Sequence, residues 1–238
     1  MGPSAVEILY EEGPCLVVNK PPGLLTQAPP GIDSLELRIK EFLKGREGRP
    51  GSAYLGVPHR LDRPASGAIV FGRHSRAARR LAKQFEKRLV RKRYWACVGG
   101  VVVPADGTWM DYLRKVPEEP RAEIVGPEHP EGREAILRYR TLATFAGGSW
   151  LEVELETGRM HQVRVQAAAR GHPVLGDVQY GSTVPFGPQY EDRRLRAIAL
   201  HARSLGFQHP MTRQTVDVVA PVPAAWGELG IESLGHVG

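Results

Sequence analysis

In the stretch His59-Arg60-Leu61-Asp62-Arg63-Pro64-Ala65-Ser66-Gly67, one acid stands between two arginines on a turn closed by Pro64, Ser66 and Gly67. Nearby positive charge keeps such an acid ionised at neutral pH. An ionised carboxylate on a turn can serve as a nucleophile or a base; the same residues can also form a plain salt bridge. Two later stretches carry further groups able to do chemistry. Lys92-Arg93-Tyr94-Trp95-Ala96 sets a tyrosine beside a basic run, and Thr157-Gly158-Arg159-Met160-His161-Gln162-Val163-Arg164 leads an arginine into an apolar segment.

The elements that must position these residues can be read from patterning. Ile8-Leu9-Tyr10 and Cys15 to Lys20 predict two short strands around a Glu11-Glu12-Gly13-Pro14 turn, and Pro21-Pro22-Gly23 stops the second. Residues 34–44 predict a helix capped by Ser34 or Asp33, with Leu35, Ile39, Phe42 and Leu43 on one side. Gly45 to Gly51 reads as a Gly/Arg-rich loop, and Ala68 to Phe71 as a strand after the Asp62 turn. Ser75 is expected to cap a helix with Ala78, Leu81, Ala82, Phe85 and Leu89 on its apolar face. The other face carries Arg76, Arg79, Arg80, Lys83, Lys87 and Arg88, with Glu86 the one acid, and can meet phosphates or simply be solvated.

Tyr94 to Val98 predicts a strand, Val101 to Val103 the start of another, and residues 113–134, rich in Pro, Glu, Arg and Gly, a long surface excursion. Ile136 to Thr144 and Trp150 to Leu155 predict paired strands, the second with Glu152, Glu154 and Glu156 on its wet face. Met160 to Arg170 predicts a helix closed by Gly171. A sheet segment from Ala197 to Phe207 and a short strand from Val216 to Val219 precede a polar tail. Strands follow one another mainly by turns, so the fold class expected is α+β: a largely antiparallel mixed sheet with packed helices. No linker divides the 238 residues, so residues 1–238 are expected to form a single domain.

A net charge of +6 with a pI near 9.5 favours an anionic partner, nucleic acid above all. Two cysteines, Cys15 and Cys97, are too few for a disulfide framework or a cysteine-rich zinc site. They read as free thiols in a reducing compartment. Neither a secretory signal nor a membrane-spanning run is visible, which predicts a soluble, cytoplasmic protein, by default a monomer. No nucleotide-binding glycine loop, His-Glu-x-x-His or Gly-x-Ser-x-Gly is present, and the eight histidines are scattered. Neither a metal nor a cofactor is expected.

Taken in order, these stretches resemble the signature of the RluA-type pseudouridine synthases, over about residues 8–220. The resemblance implies the pseudouridine synthase catalytic-domain fold and an isomerase acting on uridines in ribosomal or transfer RNA. It implies Asp62 as the catalytic aspartate, Tyr94 as the tyrosine that stacks on the target base and helps remove the C5 proton, and Arg164 as the basic residue paired with the aspartate. Leu200, in Leu200-His201-Ala202 before His209-Pro210, would line the pocket, and Arg60 would fill the space left by the flipped base. Arg79, Arg80 and Lys83 are the expected RNA contacts. Val18-Asn19-Lys20-Pro21 with Gly23-Leu24-Leu25, and Gly171-His172-Pro173 with Leu175-Gly176-Asp177 and Tyr180-Gly181, resemble structural motifs of the family. Ala65 departs from the threonine found in many members, and the chain is expected to lack the small S4-type RNA-binding domain that many relatives carry.

Such a reaction breaks a C–N glycosidic bond, turns the base while it is held, and joins C5 to the sugar carbon. A carboxylate beside the sugar can stabilise the developing charge, capture it, or remove a sugar proton. Water must be kept out, and the target must leave its stack at a cost of a few kcal/mol. Two other readings stand beside this one: a non-catalytic RNA-binding protein that keeps the fold, and an N-glycosidase that frees the base. Tyr94 and Leu200 could equally be core residues, and Arg164 could pair with the glutamate face of residues 151–156.

Overall fold

The computed structural model describes residues 6–48 and 53–230. In chain order these form β1 (Glu7–Glu12), β2 (Cys15–Lys20), α1 (Leu35–Glu47), β3 (Ser66–Gly72), α2 (Ser75–Glu86), β4 (Arg91–Gly99), β5 (Asp106–Lys115), β6 (Ala122–Val125), β7 (Arg133–Phe145), β8 (Gly148–Leu155), α3 (Gln162–Ala169), β9 (Leu200–Gln208) and β10 (Thr215–Val219). Short 3-10 helices cover Val178–Tyr180, Arg193–Leu195 and Ala224–Leu229. The strand pairings are antiparallel, as β1 with β2, β2 with β3, β9 with β10, β4 with β8, β7 with β8 and β5 with both β6 and β7. The α+β class with a mostly antiparallel sheet is therefore observed. The chain is organised into two compact units, residues 1–91 with 202–222, and residues 92–201 with 223–238.

In the first unit the strand order is β1-β2-β3-β9, with β10 paired to β9. Alternate residues of these strands (Cys15 and Val17, Ala68 and Val70, Leu205 and Phe207, Val216 and Val218) share one core with Leu81 of α2. Leu16, Val18, Ile69 and Phe71 are buried as well. That is why β2 and β3 read as unbroken apolar runs and not as alternating ones. Ser34 caps α1 by accepting from Leu37 N, as expected, and Leu35, Ile39 and Leu43 are buried. The helix runs three residues past its expected end, to Glu47, and closes at Gly48 in the left-handed region, φ 62°. The rest of the expected Gly45–Gly51 loop, residues 49–51, lies outside the described residues.

Helix α2 departs from expectation at both ends. Its cap is His74, whose Nδ1 accepts from Ala77 N at 3.0 Å, and not Ser75. An unprotonated imidazole nitrogen can do what a serine hydroxyl does at this position. The helix stops at Glu86, so Leu89 falls beyond it and is 61% exposed. Ala77 and Leu81, one turn apart, form the buried contact, while Ala82 is exposed.

The second unit has the order β4-β8-β7-β5-β6. The expected excursion over residues 113–134 contains regular structure: β5 ends and all of β6 forms within it, paired through Leu113 and Ile124. Only the turns at 116–121 and 126–132 match the Pro- and Gly-rich composition. Strand β5 was hidden because Trp109 and Leu113 are its only deeply buried side chains. Val101 and Val103 belong to no strand and are exposed. Helix α3 lies on the face of β5 and β7 that carries Leu113 and Ala135, with Val165 in the same cluster and Gln166 Nε2 donating to the carbonyls of Trp109 and Ala135.

The segment after β10 is not simply polar. Trp226, in the last 3-10 helix, is 0% exposed and meets Phe186 and His201 edge-on, with ring centroids 5.8 and 6.0 Å apart. Its indole Nε1 meets no acceptor among the described residues. Trp226→Ala should therefore lower the unfolding free energy by about 3–5 kcal/mol. Trp226→Phe, which loses no hydrogen bond, should cost well under half of that, as read from urea midpoints.

Candidate active site

The Asp62 turn is built from the N-terminal part of the first unit. Lys20, the last residue of β2, is fully buried, and its Nζ donates to the carbonyls of Pro21, Leu24 and Arg63 at 2.9, 2.8 and 3.1 Å. An ammonium has three N–H donors, so three carbonyls satisfy it completely. Thr26 Oγ1 accepts from Leu61 N at 3.2 Å and donates to Leu61 O at 3.1 Å. Arg63 Nε donates to Gly23 O, and Gly23 N returns a bond to Arg63 O. The backbone is thus held at the residue on each side of Asp62. Ala65 N donates to Asp62 O at 3.1 Å and closes the turn.

Both flanks are pinned as well. His59 Nε2 accepts from Val70 N at 3.1 Å, and its ring stacks on Phe85 with centroids 4.2 Å apart. Gly67 has φ 116°, and a Cβ there would lie 2.4 Å from Ala202 O, so only glycine lets β3 come this close to the backbone of β9. Asp62 itself is half-buried and Arg60 is exposed. Burial pushes the Lys20 ammonium down to about 7; the Asp62 charge opposes that shift and Arg63 adds to it.

Of the basic side chains on α2, Arg79 and Lys83 are exposed. Arg80 is half-buried and spends Nη1 on Pro210 O at 2.7 Å, with Met211 Sδ at 3.7 Å.

Tyr94, Arg164 and Leu200 lie in the second unit. Tyr94 is half-buried on β4 opposite Val153, which stands opposite Tyr139 on β7. Direct partners share a sheet face, so Tyr94 stands on the face that also carries Tyr139 and Leu137 and is covered by α3 farther along. Leu200 is buried and follows Ala199, whose carbonyl accepts from Cys97 N at 2.9 Å.

Arg164, in the first turn of α3, is buried against Asp177: Nε to Oδ2 is 2.6 Å and Nη2 to Oδ1 is 2.8 Å, with side-chain exposures of 4% and 1%. Nη2 also donates to Gln179 Oε1 at 2.8 Å, and the guanidinium carbon lies 4.9 Å from the centre of the Tyr180 ring. The glutamates of β8 pair instead with strand arginines, Glu152 with Arg140 and Glu154 with Arg93, and Glu156 follows the same pattern with Arg138. Arg159 Nε donates to Glu134 O, and His161 Nδ1 lies 2.8 Å from Tyr180 Oη. His161 sits at φ 53°, which prevents α3 from starting earlier at Met160 as expected.

Sequence reasoning named Lys20 and Asp177 only within stretches resembling structural motifs, without a role for either side chain, and passed over Thr26 and Gln179; all four hold other groups in place. A lysine ending the apolar run Leu16-Val17-Val18 was the visible signal for Lys20. Nothing in the spacing pointed to Thr26 or Gln179. Cys15 and Cys97 are buried free thiols, the first pushed up to about 12 by burial, the second higher still. Among the described residues no group of three or more His, Cys, Asp or Glu is placed to hold a metal ion, and no helix is long and apolar enough to cross a membrane.

The fold is that of the pseudouridylate synthase domains. Human RNA pseudouridylate synthase domain containing 4 superposes with a TM-score of 0.76 at 22% identity, over 96% of this chain and 92% of that one. In sequence, the family described as RNA pseudouridylate synthase matches residues 14–169, and the chain belongs to that family. An uncharacterised RNA pseudouridine synthase of Synechocystis is 32% identical over 94% of this chain and 68% of its own length. The ribosomal large subunit pseudouridine synthase D of Xylella fastidiosa is 34% identical over 92% and 66%, and the tRNA pseudouridine synthase C of Salmonella typhi 32% identical over 93% and 87%. The family makes this chain an RNA-modifying isomerase.

The Lys20 arrangement has a measurable signature. The native group titrates at about 7, against 10.5 for an ordinary lysine. Between those values the unfolded chain binds a proton that the native protein has released, so this group makes stability rise with pH there and stay level below. Lys20→Met should remove that rise: the stability gap between wild type and variant, from urea midpoints, should widen on going from about pH 6.5 to about pH 9. A gap that stays constant would show that Lys20 does not titrate in this window.

Proposed function

We propose that this chain converts specific uridines of ribosomal or transfer RNA to pseudouridine, with Asp62 as the catalytic carboxylate. The observation that carries the reading is the family match over residues 14–169, which spans Asp62, Tyr94 and Arg164. The rigid backbone on both sides of Asp62 supports it, because a catalytic carboxylate works only when held near its productive geometry. Asp62 acts at the sugar as the N1–C1′ bond breaks. Tyr94 stacks on the uracil while it turns, and C5 bonds to C1′. Tyr94 helps remove the C5 proton, N1 is protonated, and the product is an isomer of the substrate. Arg164 is the basic partner of Asp62, Leu200 lines the pocket for the base, and Arg60 fills the space the flipped base leaves. Arg79, Arg80 and Lys83 contact RNA phosphates.

Relatives are named for ribosomal and for transfer RNA alike, so the proposal keeps both. The chain acts without a cofactor, as a cytoplasmic monomer; its two buried thiols suit a reducing compartment.

The test uses total RNA from a strain lacking the gene, treated with purified protein and mapped by carbodiimide-adduct reverse-transcription stops. Wild type should create a new stop. Asp62→Asn should lose it, with the rate down by at least ~10²–10⁴-fold and RNA affinity within a few-fold. An active Asp62→Asn protein would end the assignment. Binding without a new stop would favour a non-catalytic RNA-binding role, and free uracil a glycosidase. Tyr94→Phe should retain stacking and slow the reaction.

A separate measurement addresses α2. Replacing Arg79 and Lys83 with alanine should weaken RNA binding and reduce the salt slope of log K by about 1–2. An unchanged slope would leave those side chains as a solvated face. Arg80 is left in place, because its bond to Pro210 also anchors the helix.

A further inference from the structure

We propose that Tyr54 is a stacking platform for an unpaired base of the RNA substrate, beside the row of cations on α2. The inference rests on the reading of α2 as a phosphate contact given under the proposed function, and adds what that row lacks, a surface for a base. Tyr54 is 51% exposed, in the segment that leads through Arg60 to the Asp62 turn. Tyr54, α2 and the Asp62 turn all belong to the first unit. A solitary exposed aromatic side chain is ordinary on a protein surface. What sets Tyr54 apart is how it is seated and what stands next to it.

The seat is made by glycine. Gly56 and Gly72 exchange backbone hydrogen bonds of 2.8 and 3.0 Å. A Cβ at Gly56 would lie 2.3 Å from Ala78 Cβ, and one at Gly72 2.5 Å from Ala78 N, so the pair lies directly against α2. The Gly56 position would also meet Tyr54 Oη at 3.1 Å and Cε1 at 3.4 Å, so one edge of the phenol ring rests on bare glycine beside the helix. Farther along, His59 stacks on Phe85. Ala78 and Phe85 stand about two turns apart on one side of the helix, so residues 56–59 run along α2 and do not cross it. Ala82 follows Ala78 by one turn, and the next stripe carries Arg79 and Lys83, both exposed. Helix geometry therefore sets a low strip, Ala78 and Ala82, between the tyrosine and the cations. Glu86, one turn past Ala82, puts an acid at the far end, so the pull on phosphates is strongest at the end near Tyr54.

A single strand fits this surface and a duplex does not. Phosphates are drawn to Arg79 and Lys83 while an unstacked base lies on the exposed part of the ring. Bases inside a duplex are already stacked on one another and turn only their edges outward. An aromatic platform beside a cationic track holds single strands with little regard to sequence. The probes are a fluorescein-labelled single-stranded oligoadenylate about 12 nucleotides long and a blunt RNA duplex of the same length, titrated with the full chain by anisotropy. Tyr54→Ala should weaken single-strand binding by about 5–100-fold and leave duplex binding within about twofold of wild type. Tyr54→Phe and Tyr54→Trp should stay within about threefold on both probes, since each keeps a π face. Tyr54→Ala should also leave the salt slope of log K unchanged, because no phosphate contact is lost.

Wild-type affinity for the single strand in Tyr54→Ala overturns the assignment, as does an equal loss on the two probes or a Tyr54→Phe that binds as poorly as Tyr54→Ala. A wild-type chain that binds neither probe overturns it as well. Tyr54→Leu, which keeps apolar bulk over Gly56 without a π face, should bind like Tyr54→Ala and decides by the same criterion should the alanine variant fail to fold. The two readings fail separately. An unchanged salt slope on replacing Arg79 and Lys83 with alanine removes the phosphate row, and a selective single-strand loss in Tyr54→Ala would still establish the stacking contact. Asp62→Asn should bind both probes like wild type, and its activity in the pseudouridine mapping decides the catalytic reading alone.

Discussion

The first unit depends on the burial of the Lys20 amine, which carries its positive charge below about pH 7. A buried ammonium is costly unless every N–H is hydrogen-bonded. Here the cost is offset by three carbonyls that would otherwise need donors of their own, from Pro21, Leu24 and Arg63. A single side chain therefore ties the end of β2, the Pro21-Pro22-Gly23 turn and the loop carrying Asp62. Neutral carbonyls satisfy the lysine's hydrogens without cancelling its charge. The charge that balances it is Asp62, the acid whose presence raises the Lys20 ammonium against the effect of burial.

Arg164 shows the opposite arrangement. Its partner is an anion, so the pair with Asp177 is close to neutral, and its hydrogens are bound in a fixed plane. A buried ion pair of this kind adds little net stability over well-packed apolar groups. Its value is directional. One cation is held for the shape it gives a backbone turn, the other for the orientation of a planar group, and lysine and arginine suit these tasks respectively. Exchanging them would leave a carbonyl cage with a planar group too wide for it, and a carboxylate facing a point charge without a plane.

Wherever a local pattern determined an element, the sequence was legible. Alternating Leu151, Val153 and Leu155, the Ser34 cap and the Gly171 stop reappear in the structure with shifts of a few residues. Elements that depend on distant partners were not. Strand β5 shows little period of its own and becomes a strand because β7 offers it a partner along Arg133 to Arg140. His74 outcompetes Ser75 as a cap because the chain enters α2 one residue earlier. At the candidate site, chemical groups such as Asp62 stood out by type. The groups that hold their neighbours, Thr26 and Asp177, are ordinary in composition, and their roles become visible only once residues 26 and 61, or 164 and 177, are seen to touch.

The same distinction applies to the basic run after β3. By composition, residues 76–93 carry one of the densest clusters of positive charge in the chain. Several of those charges are committed within the protein: Arg80 to Pro210 O, Arg91 to Asp217 at 2.7 Å, Lys92 to Thr157 O and Arg93 to Glu154 at 3.7 Å. An arginine already bonded to a carbonyl still contributes to the long-range field but has fewer hydrogens to give a phosphate. An exposed ion pair contributes little to either, since its field is that of a dipole and falls off within a Debye length. Arg76, Arg79, Lys83, Lys87 and Arg88 are the exposed remainder on and just after α2. Spaced three or four residues apart, Arg76, Arg79 and Lys83 rise along one helix face at about 5 Å per turn, a spacing comparable to that of successive phosphates along a strand. The charge able to follow an RNA backbone is therefore a narrow row, smaller than the composition suggests, and it is ordered by the same helix that anchors Arg80 and stacks Phe85 beneath His59.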